Sequence, residues 1–60
     1  MYNKIKKMCD DNHMSIRSLE QTLNLSNGII KKWEKAEPKA STLKKIADYF
    51  NVDINYFLDD

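Results

Sequence analysis

Apolar residues recur three and four positions apart along much of the chain, the spacing that places side chains on one face of an α-helix. One such run near the start is formed by Ile5, Met8 and Cys9. A longer run near the end is formed by Leu43, Ile46, Ala47 and Phe50. β-Branched residues are few, and no stretch alternates apolar and polar residues with the period of a strand. The pattern predicts an all-α chain, a compact bundle of about five short helices.

Three helix starts carry the same signal, a capping residue preceded by an apolar residue that packs against another in the first helical turns. The predicted caps of the second, third and fifth helices are Ser15, Ser26 and Asp53. The matching apolar pairs are Met14 with Leu19, Leu25 with Ile30, and Val52 with Phe57. Because caps and pairs recur together, we expect three well-defined helix starts.

The fourth helix follows Pro38, and its first residue is open between two alternatives. Ser41 is the natural cap by residue type, whereas a start at Lys39 or Ala40 adds another turn. Asn51 is predicted to end this helix, since asparagine tolerates the left-handed conformation found at such ends.

Only Asn24 and Leu25 separate the second helix from the cap of the third. So short a reversal usually requires a positive φ angle, which Asn24 adopts at low cost. The two helices therefore predict a helix-turn-helix motif. On a helical wheel, the buried side of the third helix consists of Ile29, Ile30 and Trp33.

The outer face of the third helix carries cations, an amide and a glycine, and no acid. Its residues are Asn27, Gly28, Lys31, Lys32 and Lys35. Such a face fits the major groove of DNA, where Asn pairs with adenine and Lys with guanine or a phosphate. Gly28 weakens a helix by about 0.5–1 kcal/mol relative to alanine. Either the backbone approaches DNA closely there, with first-turn N–H groups free to bind a phosphate, or the glycine is merely tolerated.

The distribution of charge is uneven although the net charge is only +1. Residues 1–45 hold all ten basic residues and five acidic ones, whereas residues 46–60 hold four acidic residues and no Lys or Arg. This asymmetry suits a protein with one polyanion-binding side, although ordinary charged helix surfaces explain it as well. Sixty residues suffice for a single domain, residues 1–60.

Cys9 is the only cysteine and His13 the only histidine. A single cysteine forms no internal disulfide, which fits a reducing bacterial cytosol. Two potential ligands are too few for a zinc site, so we expect no metal and no cofactor. A bundle of this size is expected to lack a substrate cleft, which predicts a protein that is not an enzyme and binds no small molecule. No apolar run could span a membrane and no export leader is present, so we expect a soluble intracellular protein.

The order of capping and core residues resembles the phage-repressor/Cro-type helix-turn-helix domain, the lambda-repressor-like fold, over nearly the whole chain. The matching elements are Ser15-x-x-x-Leu19, Leu25-Ser26, Ile30-x-x-Trp33-Glu34, Pro38 and Leu43-x-x-Ile46-Ala47-x-x-Phe50-Asn51-Val52. The resemblance implies a bundle of about five helices in which the second and third support and read operator DNA, bound as a dimer.

The same resemblance assigns contacts by position. Base contacts fall on Asn27, Gly28, Ile29, Lys31 and Lys32, with Ile29 suited to a thymine methyl group. Phosphate contacts fall on Ile16, Arg17, Ser18, Ser26, Lys35 and Lys39. The C-terminal residues are more apolar than one short helix can bury: Ile54, Tyr56, Phe57 and Leu58. Either part of them, at Ile54, Tyr56 and Leu58, forms a contact between two copies of the chain, or all four pack inward.

Four positions depart from the family pattern. Ile16 stands where glutamine often binds phosphate, and Glu20 stands where a small residue commonly lets the third helix approach the second. Cys9 stands where many members have an arginine that pairs with the acid at Glu34. Asn24 replaces the turn glycine and keeps the requirement for positive φ. With these departures we still expect the same fold, but we expect the DNA contacts to be weaker.

These features predict sequence-specific, non-enzymatic binding of double-stranded DNA by a transcriptional regulator, a repressor of phage, mobile-element or bacterial origin. A recognition helix over about residues 27–35 would lie in the major groove, and a homodimer would bind a pseudo-palindromic operator. The chain would be this regulator or the N-terminal domain of a longer one. The alternative is a protein-interaction module on the same fold, an antitoxin-like or anti-repressor partner, which would not bind random duplex DNA.

Overall fold

The computed structural model describes residues 1–58, and every regular element in this part of the chain is helical. The elements are α1 (Tyr2–Asp11), α2 (Ile16–Thr22), a 3₁₀ helix (Ile30–Glu34), α3 (Ala40–Phe50) and α4 (Asn55–Leu58). The predicted all-α bundle of about five helical segments is confirmed, except that the third is a 3₁₀ helix. Asp59 and Asp60, part of the predicted acidic end, lie outside the described residues.

The core contains at least one buried side chain from each helical segment. Its members are Ile5, Cys9, Leu19, Ile30, Trp33, Leu43, Ile46, Ala47 and Phe57. The predicted core faces of α1 and α3 are confirmed, with Met8 and Phe50 at the edge of the core. The Cα radius of gyration is 10.3 Å, close to the roughly 10 Å expected for a folded chain of this length. None of the described helices is long and apolar enough to cross a bilayer.

Two of the three predicted helix caps are confirmed and one is wrong. Ser15 Oγ accepts the Ser18 N–H at 3.0 Å, and Asp53 Oδ1 accepts the Asn55 N–H at 2.8 Å. Ser26 is not a side-chain cap, because the 3₁₀ helix begins only at Ile30 and has no side-chain cap at its preceding residue. Instead, residues 26–29 form a turn. The start of α3 is the earlier of the two alternatives, since that helix begins at Ala40.

Three helices end in the same geometry, which turns the chain sharply toward the next element. The residues with positive φ at these ends are His13 at 57°, Asn24 at 57° and Asn51 at 58°. The next N–H returns to the carbonyl five residues earlier: Met14 to Cys9 at 3.0 Å, Leu25 to Glu20 at 2.8 Å, and Val52 to Ala47 at 3.0 Å. These are Schellman motifs. The predictions for Asn24 and Asn51 are confirmed, and His13 is a third case that we did not predict.

Candidate nucleic-acid interface

The turn between α2 and the 3₁₀ helix is held by the buried carboxylate of Glu20, whose residue is only 2% exposed. Glu20 Oε1 accepts the Gly28 N–H and Oε2 accepts the Ile30 N–H, each at 3.1 Å. Glu20 thus satisfies N–H groups at the start of the 3₁₀ helix, the role that we predicted for Ser26. The departure from a small residue at this position is explained, because the side chain is bonded at both oxygens.

Gly28 has a φ angle of +82°, which L-residues rarely adopt. A Cβ atom added at this position would meet no atom within 4 Å, so space alone does not require glycine. The backbone conformation therefore explains the residue within the chain itself. The suggestion that first-turn N–H groups are free for a phosphate is wrong for Gly28 and Ile30, because both of these N–H groups donate to Glu20.

We call residues 26–35 the recognition segment, and its helical part follows 3₁₀ rather than α geometry. In a 3₁₀ helix, residues three apart lie directly above one another, whereas α-helical geometry separates them by about 60°. Ile30 and Trp33 are accordingly both buried, as predicted, while Ile29 is half-buried against the core. By the same spacing, Glu34 is aligned with Lys31.

Lys31 forms contacts within the free protein. Its Nζ atom lies 2.8 Å from Glu34 Oε1 and 5.2 Å from the centroid of the Tyr2 ring. The hydrogen bond to Glu34, together with that carboxylate's charge, raises the pKa of Lys31. The prediction that the outer face carries no acid is therefore wrong at this point. Glu34 obtains from Lys31 the partner that Cys9 does not provide, although the Lys31 side chain is still 67% exposed.

The remaining predicted contact residues divide into exposed and half-buried groups. The exposed residues are Asn27, Gly28, Lys32, Lys35, Arg17, Ser18, Ser26 and Lys39. Ile16 and Ile29 are half-buried and pack against the core, so their side chains are less available than we expected. Within residues 1–58, the described ion pairs do not involve Arg17, Lys32, Lys35 or Lys39. These four cations are therefore available for an anionic partner.

A family model for the Cro/C1-type HTH DNA-binding domain matches residues 4–59, from α1 through α4. The chain belongs to this family. Cro/C1-type domains are DNA-binding regulatory domains and are not typically enzymatic, and membership supports DNA binding by a transcriptional regulator. Neither the curated proteins nor the solved structures gave a significant match.

An open cleft of about 400 Å³ lies between the recognition segment and the start of α3 in this Cro/C1-type domain. It brings together two predicted phosphate contacts, Ser26 and Lys39, over a floor that includes Trp33. The cleft is open to solvent, and the expectation that so small a bundle lacks a substrate cleft stays a prediction. The lining contains neither histidine nor cysteine, so neither Cys9 nor His13 lies in this cleft.

Cys9 and His13 have structural roles in the Cro/C1-type fold. Cys9 is buried in the core, and burial, more than the nearby Asp10 charge, raises the pKa of its thiol. His13 is exposed and ends α1 with its positive φ angle. No three His, Cys, Asp or Glu side chains converge as a metal site within residues 1–58.

The residues that we missed at this interface are Glu20 as a cap and Tyr2 as a partner of Lys31. Glu20 gave a signal, because a carboxylate at a position usually held by a small residue needs buried hydrogen-bond donors. The sequence contains no signal for the role of Tyr2, since its contact with Lys31 joins distant parts of the chain.

Proposed function

We propose that this chain is the sequence-specific DNA-binding domain of a transcriptional repressor of phage, mobile-element or bacterial origin. It acts in the bacterial cytosol or nucleoid. One observation supports the proposal above others: exposed Asn27 shares the recognition segment with two exposed cations outside the described ion pairs, Lys32 and Lys35. An amide beside cations is the chemistry that base edges and phosphates of a major groove accept.

Base choice in this proposal depends mainly on Asn27 and Lys32. Asn27 forms a bidentate pair with adenine, and Lys32 reaches guanine or an adjacent phosphate. Lys31 contributes only after leaving Glu34 and Tyr2, so its contact competes with existing interactions. Gly28 allows close approach, and the half-buried Ile29 offers at most a methyl contact to thymine.

Phosphate contacts position the domain on the duplex. Arg17, Lys35 and Lys39 supply charge at the start of α2 and on both sides of the 35–39 loop. Ser18 and Ser26 supply hydroxyl groups, and Ile16 supplies only its backbone N–H. These contacts provide affinity for any sequence and make binding salt-dependent.

A homodimer on a pseudo-palindromic operator completes the proposal. Two recognition segments would enter successive major grooves, roughly 34–36 Å apart. The contact between copies is proposed at Ile54, Tyr56 and Leu58. Tyr56 is 42% and Leu58 55% exposed, whereas Ile54 is half-buried and Phe57 is buried, so the four do not all pack inward.

The proposal is tested by selecting bound duplexes from a random pool and then measuring affinity against salt. Asn27→Ala should lower affinity for the selected operator by roughly 1–3 kcal/mol and relax preference at one base pair. Lys35→Ala should weaken binding to all sequences and make the salt slope shallower by about one unit. Lys45→Ala removes the same charge from α3, outside the proposed contacts, and serves as the control. Unchanged affinity in both Asn27→Ala and Lys35→Ala would show that the assigned surface is wrong.

A protein-interaction module on the same fold, antitoxin-like or an anti-repressor partner, is the second candidate. The ion pair between Lys31 and Glu34 favours it, because it neutralises one cation of the expected DNA-binding face. A titration with random duplex DNA at low salt separates the two candidates. Complete absence of binding favours the interaction module.

A further inference from the structure

Glu20 is the only charged residue in the core of residues 1–58, and both its carboxylate oxygens bond to the recognition segment. We propose that Glu20 is a positioning residue for base recognition, which fixes the Asn27–Gly28 peptide and thereby the direction of the Asn27 side chain. This inference rests on the proposed DNA-binding function. It adds a residue that contacts no DNA and yet controls sequence discrimination.

The two hydrogen bonds hold the turn at both ends. The Gly28 N–H belongs to the peptide that follows Asn27, so its bond to Oε1 fixes the plane of that peptide. The Ile30 N–H, bonded to Oε2, fixes the first residue of the 3₁₀ helix. Between these two N–H groups, Gly28 has a φ angle of +82°. Glycine has no Cβ atom and adopts positive or negative φ with similar ease, so its own sterics do not fix this angle. The carboxylate therefore supplies restraint where the backbone is most permissive.

Only a carboxylate presents two acceptor oxygens in this arrangement. A glutamine at position 20 has one acceptor oxygen and one NH₂ group, so one of the two N–H donors would face another donor. The Ile30 hydrogen bond is buried, and water does not readily replace it. Loss of either bond frees one end of the turn without changing a cation of the interface.

The expected functional effect is selective for this reason. Lys32, Lys35 and Lys39 keep their charge and exposure when Glu20 changes, so attraction to phosphates persists. Bidentate pairing of Asn27 with adenine depends on direction as well as distance. A freed turn therefore lowers affinity for the operator more than affinity for other sequences.

The experiment compares Glu20→Gln with the wild-type chain on two duplexes, the operator selected from a random pool and a scrambled duplex of equal composition. We expect operator affinity to fall about tenfold and scrambled-duplex affinity to change less than about threefold. Glu37→Gln, the same change at an exposed carboxylate, is the control for charge and should move both affinities together. In the Asn27→Ala background, Glu20→Gln should have little further effect on operator affinity, because both changes remove the same contact, the one between Asn27 and its base.

An NMR measurement checks the structural step independently of DNA. The amide protons of Gly28 and Ile30 should shift in Glu20→Gln while those of α1 and α3 stay in place. A folded Glu20→Gln with an unchanged ratio of operator to scrambled affinity overturns the inference, as do additive effects with Asn27→Ala or unmoved amides. If Glu20→Gln does not fold, Glu20→Asp, which keeps two acceptors on a shorter side chain, must show the selective fall, and an unchanged ratio there overturns the inference. If the wild-type chain binds no duplex, the proposed function itself fails and this inference with it.

Discussion

Replacing Gly28 by alanine gives opposite results for the two descriptions of the recognition segment. If residue 28 lay in an α-helix that starts at Ser26, alanine would stabilise the domain by about 0.5–1 kcal/mol. In the structure, Gly28 has a φ angle of +82°, where an L-residue costs roughly 1–2 kcal/mol. The sign of the change in unfolding free energy therefore distinguishes the two descriptions.

The magnitude follows from the absence of any steric contribution. A Cβ at position 28 would meet no atom within 4 Å, so only the backbone conformation changes the free energy. Alanine also restricts the unfolded chain, which offsets about 0.4–1 kcal/mol of the loss. We expect a net destabilisation of about 1 kcal/mol, which lowers Tm by roughly 4–8 °C in a domain of this size.

Urea and thermal unfolding followed by fluorescence measure this effect directly. Trp33 is the only tryptophan and is 5% exposed, so its emission reports exposure of the core beside the recognition segment. Gly28→Asn is the matched variant, because asparagine tolerates positive φ better than alanine and should lose less stability. A Gly28→Ala variant more stable than wild type would refute the turn geometry described for residues 26–29.

Two further predictions concern the caps and the core. Ser15→Ala should destabilise the domain by about 1 kcal/mol, whereas Ser26→Ala should change the unfolding free energy by less than about 0.5 kcal/mol, because Ser15 caps a helix with its side chain and Ser26 does not. Equal losses in the two variants would contradict the replacement of the Ser26 cap by Glu20. The Cys9 thiol is buried, so it should react with iodoacetamide only as fast as the domain opens. Because burial raises the pKa of this thiol in the folded domain, its contribution to the free energy of unfolding is fully present below the unfolded pKa. That contribution is lost as the pH rises through the folded pKa. Rapid labelling of the native protein would show that Cys9 is not enclosed.

The features predicted correctly from the sequence depend on short-range geometry. The apolar spacing in α1 and α3 specified the core, and Asn24 and Asn51 signalled helix ends because few residues tolerate positive φ. His13 was missed although the chain repeats the signal. His13-Met14-Ser15 has the same order of roles as Asn51-Val52-Asp53, which is a residue with positive φ, an apolar residue and a side-chain cap, and Asn24-Leu25 repeats the first two roles.

The features that the sequence did not reveal require contacts between separate elements. The bonds from Glu20 to Gly28 and Ile30 join residues eight and ten positions apart. They favour a turn and a 3₁₀ helix over the α-helix that local propensity suggested. The ion pair between Lys31 and Glu34 is a separate omission, because residues three apart are neighbours in an α-helix as well as in a 3₁₀ helix. One unpredicted carboxylate contact thus accounts for the errors at the cap and in the helix type.

The distribution of unpaired charge bears on the proposed homodimer. Within residues 1–58, the basic residues in ion pairs are Lys6, Lys7, Lys31 and Lys44. The proposed interface retains Arg17, Lys32, Lys35 and Lys39, roughly four phosphate contacts with a salt slope of about −0.9 each. One domain with so few contacts would bind any duplex weakly at physiological salt. Two domains double the number of phosphate contacts and also require both Asn27 side chains to meet bases at a fixed separation. That separation is reproducible only if each turn is rigid, so the restraint from Glu20 and the proposed homodimer depend on each other.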